Sequence, residues 1–118
     1  MGLFLIIAGA IAAGLGIAYL VAITFNWLRN KIRQKIAERR TKSVVVADIE
    51  NLVRKSNNRI PLSELDAMTG GRRAEVIVGL DEYDNIVGDV EIARDTNSTL
   101  DAEVEELLGR EKIVIVDG

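Results

Sequence analysis

Residues 1–28 read MGLFLIIAGAIAAGLGIAYLVAITFNWL and contain no Asp, Glu, Lys or Arg. As one helix, residues 3–28 would be roughly 39 Å long at ~1.5 Å per residue. A bilayer's hydrocarbon core is ~30 Å thick and takes ~20 apolar residues, so this length spans it with some tilt. A helix that is apolar on every side finds no comparable place in water. The stretch therefore predicts a single transmembrane helix, and the remainder is read outward from it.

A signal peptide fits less well. No Lys or Arg precedes the apolar run, the run is too long, and Ile23-Thr24-Phe25-Asn26 offers no small-residue cleavage site. Gly2 is present, but Ile6 stands where N-myristoylation wants Ser or Thr. All the nearby cations follow the span. The positive-inside rule then places the N-terminus outside and residues 29–118 in the cytoplasm, as in a single-pass protein of a bacterial inner membrane.

Within the span, Ala10, Gly14, Ala18 and Ala22 recur every four residues, and Ala8, Ala12 and Gly16 form a second row. Such rows make one ridge of a helix, where small side chains let two backbones approach closely. The expectation is a homo-oligomer packed through Ala10, Gly14, Ala18 and Ala22. The plainer account is that Gly and Ala are frequent in membrane helices. Only Tyr19, Thr24 and Asn26 add polarity, so a proton relay inside the span is disfavoured.

Residues 29–42 carry seven bases against Glu38 alone, a charge of +6, whereas residues 43–118 sum to −9. The basic run is placed where anionic lipid headgroups would lie. Leu28, Ile32 and Ile36 recur at helical spacing, which extends the span into a basic juxtamembrane helix. That helix either continues straight or lies on the inner leaflet; without Pro or Gly between Ile17 and Arg40, the straight course is favoured. Trp27 would mark the inner boundary, and Arg29, Lys31 and Arg33 would ring the mouth of any pore between parallel copies.

Residues 43–118 suffice for one small acidic domain. Val45, Ile49, Leu52 and Val53 share a helical face, although Val44-Val45-Val46 also suits a strand. Residues 56–59, Ser-Asn-Asn-Arg, compose a loop. Ser63 and Asp66 approximate a capping box, and Gly70-Gly71 ends the helix they begin. Val76, Val78 and Leu80, then Ile86, Val90 and Ile92, alternate as two strands of a hairpin with one buried face. A winged helix, with a helix over residues 72–83, is the competing parse. Residues 96–99 offer cap chemistry before a helix whose Leu100, Val104, Leu107 and Leu108 share a face, and Ile113-Val114-Ile115-Val116 suits a strand covered on both sides. The expected domain is α+β, about α-α-β-β-α-β.

Histidine and cysteine are both absent. This removes disulfides, thiolate zinc sites, cysteine nucleophiles and every triad built on histidine. The reading is therefore not an enzyme, with neither cofactor nor metal. A domain at −9 is also a poor general nucleic-acid binder.

Thr69-Gly70-Gly71-Arg72-Arg73 sets glycine-turn amides beside two guanidinium groups, which suits a small phosphorylated ligand. The plainer alternative is a helix C-cap followed by two solvated arginines. Asp81, Glu82, Asp84 and Asp89 crowd one turn but lack EF-hand spacing, so a solvated hairpin tip describes them better. Asp101, Glu103, Glu105 and Glu106 favour the dipole of the last helix. Two functions follow. One is a small anion-preferring channel, bundled through the Gly/Ala ridge and regulated by the cytoplasmic domain. The other is a membrane-anchored scaffold whose domain binds a cytoplasmic protein.

Overall fold

A computed structural model describes residues 2–56 and 60–118. Its first 28 residues are not one helix. Helix α1 (Leu3–Ala12) gives way to strand β1 (Gly16–Val21), and helix α2 (Phe25–Ala37) follows. Ten residues of helix rise only ~15 Å, half a hydrocarbon core. Among the described residues no helix is long and apolar enough to cross a membrane. This overturns the expected transmembrane helix over 1–28, and with it the placement of the N-terminus outside and of residues 29–118 in the cytoplasm.

The break falls at Gly14, whose φ of +77° belongs to the left-handed region that side chains resist. Beyond it Ile17, Tyr19 and Val21 have the branched and aromatic character of strands. The sign of one substitution separates the two folds. In a continuous helix Gly14→Ala would stabilise by about 1 kcal/mol. In this turn a Cβ meets nothing within 4 Å, so only backbone strain remains. The expected result is a loss of about 1 kcal/mol, read as a lower urea midpoint.

The remaining elements are β2 (Ser43–Asp48), α3 (Ile49–Lys55), α4 (Leu62–Thr69), β3 (Ala74–Leu80), β4 (Ile86–Asp95), α5 (Ala102–Leu108) and β5 (Ile113–Asp117). Five strands form one mixed sheet in the order β1-β4-β3-β2-β5. Strand β1 runs parallel to β4, and the other neighbours are antiparallel. Residues 74–80 are strand, so the hairpin stands and the winged helix does not. The loop expected at 56–59 lies largely outside the described residues, at 57–59.

Both faces of the sheet are covered. Helices α1, α3 and α4 pack on one face, where Ile7, Ile11, Ile49, Leu52 and Met68 meet Val45, Val76 and Ile92. Helices α2 and α5 pack on the other, where Leu28, Ile32, Val104 and Leu108 meet Val44, Val46 and Ile77. The Leu28/Ile32 stripe therefore faces the chain's own sheet and not further copies of itself. Thr24 starts α2 by accepting a hydrogen bond from the Trp27 amide, and strand β1 stands between α2 and α1, so the two are not one straight helix. Strand β5 is an edge, with Ile115 exposed, rather than the doubly covered strand its apolar run suggests.

Two-sided coverage changes the meaning of the β2 and β3 sequences. Five of six residues in β2 and all seven in β3 are buried. A strand covered on both faces has no solvent side for a polar residue to take. Glu75 in β3 is consequently enclosed, although its position in the alternation reads as the outward one.

Candidate functional site

One end of the sheet gathers the charged groups. Antiparallel pairing of β2 and β3 sets Asp48 opposite Glu75, and pairing of β3 with β4 brings Asp95 beside Arg73. Lys112 arrives just before β5, its carbonyl accepting from the Asp48 amide at 2.9 Å. Directly opposed residues of a strand pair carry Cβ atoms ~4.5–5.5 Å apart, so Asp48 and Glu75 are electrostatic neighbours by register alone.

Asp48, Glu75, Arg73 and Lys112 border a cavity of about 550 Å³ that is also lined by Asp66, Thr69 and Gly71 at the end of α4. Glu75 borders it but is fully buried, and among the described residues neither carboxylate oxygen has a hydrogen-bond partner. Burial pushes its carboxyl up to about 8, helped by the charge of Asp48 and opposed by Arg73 and Lys112. Burial raises Asp48 as well, against the lowering effect of the hydrogen bond it accepts from the Asn51 amide. Two carboxyls this close disfavour double ionisation, so the pair holds a proton near neutral pH.

Asp95 is the opposite case. It is also buried, but Oδ1 accepts from the Ile23 and Asn97 amides and Oδ2 receives Arg73 Nη2 at 2.6 Å. Every oxygen is satisfied, which marks Asp95 as the structural carboxylate of the group.

Thr69, Gly71, Arg72 and Arg73, singled out in the sequence, all line this cavity. Gly70 is the left-handed cap of α4 at φ +66°, and Thr69 Oγ1 accepts from the Gly71 amide. A helix cap therefore does account for the glycines. Two solvated arginines do not account for the rest, because Arg73 is partly buried and paired with Asp95. Arg72 remains exposed. Asp48, Glu75 and Asp95 are the groups local patterning passes over. The available signal is an acid at the end of an apolar run too short to be a helix, SVVVAD.

The other candidate residues are dispersed. Ala10 lies in α1, Gly14 in the following turn, Ala18 in β1 and Ala22 beyond it, so they form no common ridge. Trp27, Arg29, Lys31 and Arg33 all lie on α2. Lys31 is bound to Glu91 at 3.1 Å and sits over the Tyr19 and Trp27 rings. Arg29 lies over Phe25. The turn at Asp81 is closed by the Tyr83 and Asn85 amides donating to Asp81 Oδ1, at an exposed hairpin tip. Asp101 caps α5 through the Glu103 and Val104 amides. Among the described residues no group of three or more Asp or Glu side chains is arranged to hold a metal ion.

Set against protein-family models, curated proteins and solved structures, the chain matches none.

Proposed function

We propose that this chain is a ligand-binding module whose cavity takes a small organic cation, an ammonium or guanidinium group, over Asp48 and Glu75. The observation that supports this most directly is Glu75, buried beside the cavity with two oxygens that no donor meets among the described residues. A buried polar atom without a partner costs ~1–3 kcal/mol, a penalty that a donor-bearing ligand removes. The charge of the walls supports the sign. Five carboxyl groups, one of them holding a proton near neutral pH, line the cavity against three cations, and Arg73, one of the three, is already engaged by Asp95.

A bound cation favours the ionised carboxylate, so binding displaces the proton held by Glu75. Isothermal titration with ethanolamine between pH 6 and 9, in buffers of different ionisation heat, measures this directly. Affinity should rise with pH and level near about 8, with proton release below that point. Glu75→Gln should weaken binding about tenfold or more and abolish the proton release. An affinity independent of pH and indifferent to Glu75→Gln would refute the reading.

A further inference from the structure

We infer that β1 is an assembly edge: two copies of this chain pair antiparallel through Gly16–Val21 and join their sheets into one. Strand β1 ends the sheet, with β4 its one neighbour among the described residues. The Val21 carbonyl is turned inward, where it accepts from the Thr96 amide just after β4. Backbone groups alternate sides along a strand, so those of Gly16, Ala18 and Leu20 face outward. Among the described residues no backbone bond outside the β1–β4 pairing takes them. An open row of donors and acceptors is a template for a further strand. Natural edges are blunted by charge or proline. Residues 1–28 contain neither, and Leu15, Ile17 and Leu20 are each more than half exposed. The opposite edge, β5, follows Lys112 and ends on Asp117.

The strand is also complementary to itself, which makes a second copy the occupant. Gly16 and Ala18, with Met68 and Ile92, line a cleft of about 240 Å³ on the α1 and α4 side of the sheet. Its charged members are Glu64 and Arg94, and Arg94 is held by the Ala67 and Met68 carbonyls. Leu20 shares that face by alternation and is 61% exposed. A closed pair needs a two-fold axis. Across an edge-to-edge contact such an axis keeps like faces together, so residues of equal parity stand opposed. Centring the strand puts Ala18 or Tyr19 on the axis. In both registers Leu20 of one copy stands opposite Gly16 or Ala18 of the other. The large exposed side chain thus meets the two small positions beside the cleft, twice in each dimer. An uncharged strand also meets its own copy without the repulsion that like charges directly opposite would bring.

Sedimentation equilibrium of the whole chain should give twice its mass of 12.9 kDa. Leu20→Lys changes an exposed side chain and should weaken the dimer roughly a hundredfold, because two leucines are uncovered per dimer. Circular dichroism of that variant should match the wild type. Ile115→Lys, on the β5 edge, should leave the dimer intact. The chain has no cysteine, so Ala18→Cys supplies one thiol per copy. A short bis-maleimide should link two such copies in either register, and should not link Ile115→Cys. A chain that stays monomeric up to millimolar concentration would overturn the inference, and sedimentation of that monomer with phosphatidylcholine vesicles would assign the patch to lipid. A dimer unaffected by Leu20→Lys, or unlinked through Ala18→Cys, would overturn it as well. So would assembly that continues past the dimer, the mark of β1 meeting β5 in an open chain.

Discussion

Glu75→Gln should remove most of the loss of stability that the wild-type chain suffers between pH 5 and 9. The unfolded carboxyl titrates near its ordinary value of 4.5, and the folded one near about 8. Below both values the group is protonated in either state and contributes nothing to the pH dependence. Between them the unfolded chain has released its proton while the native chain still holds it. Stability therefore falls as pH rises, and the fall is complete above the folded value. The charged groups facing Glu75 are Asp48 on β2, Arg73 ahead of β3, Asp95 on β4 and Lys112 ahead of β5. They leave burial as the largest influence. The span between the two values amounts to a few kcal/mol, at ~1.4 kcal/mol per pH unit. Gln keeps the shape and cannot ionise, so the variant should match the wild type near pH 5 and exceed it at pH 9. Urea midpoints at five pH values measure this. Parallel curves for the two proteins would show that Glu75 is not held protonated in the fold.

The same enclosure explains why this residue is hard to see in the sequence. In a sheet with one wet face, the position of Glu75 between Ala74 and Val76 is the polar side of an alternation. With helices on both faces that side is dry, and alternation no longer reports exposure. Ala74–Leu80, Ile86–Asp95 and the helix ended by Gly109 are legible because strand alternation and glycine caps are local signals. The N-terminal stretch is not. Helix α1 and strand β1 are both uncharged, and hydropathy without charge does not separate one long apolar helix from a short helix followed by a strand. Gly14 is the one backbone mark of the change, and the spacing of Ala10, Gly14, Ala18 and Ala22 disguises it as a ridge. Of the site, Thr69–Arg73 carries a visible glycine and arginine signature. Asp48, Glu75 and Asp95 meet only through the register of three strands, which no local pattern contains.

Glu91→Ala should cost about 3 kcal/mol, and its partners show why the basic stretch belongs to the folded core. Lys35, read from the sequence as part of the basic run at the lipid headgroups, is only 2% exposed. Its Nζ binds Glu91 Oε2 at 2.7 Å and donates to the Asp89 carbonyl at 2.9 Å. Glu91 also receives Lys31 at 3.1 Å and the Tyr19 hydroxyl at 3.0 Å. Burial alone would raise the Glu91 carboxyl, but the hydrogen bonds from Lys35, Lys31 and Tyr19 outweigh it and hold it below its ordinary value. The network thus joins α2 to β4 and, through Tyr19, to β1. Removing one member of a buried ion pair costs ~3–5 kcal/mol, because the other charge stays enclosed without its counterion. Lys35 retains the Asp89 carbonyl, which places this loss at the lower end. Lys35→Met in the Glu91→Ala background should recover part of it, since no unpaired charge is then left in the core. Chemical denaturation of the two single variants and the double variant gives the coupling. A Glu91→Ala chain as stable as the wild type would mean that α2 is not held to β4 through the Lys35–Glu91 pair.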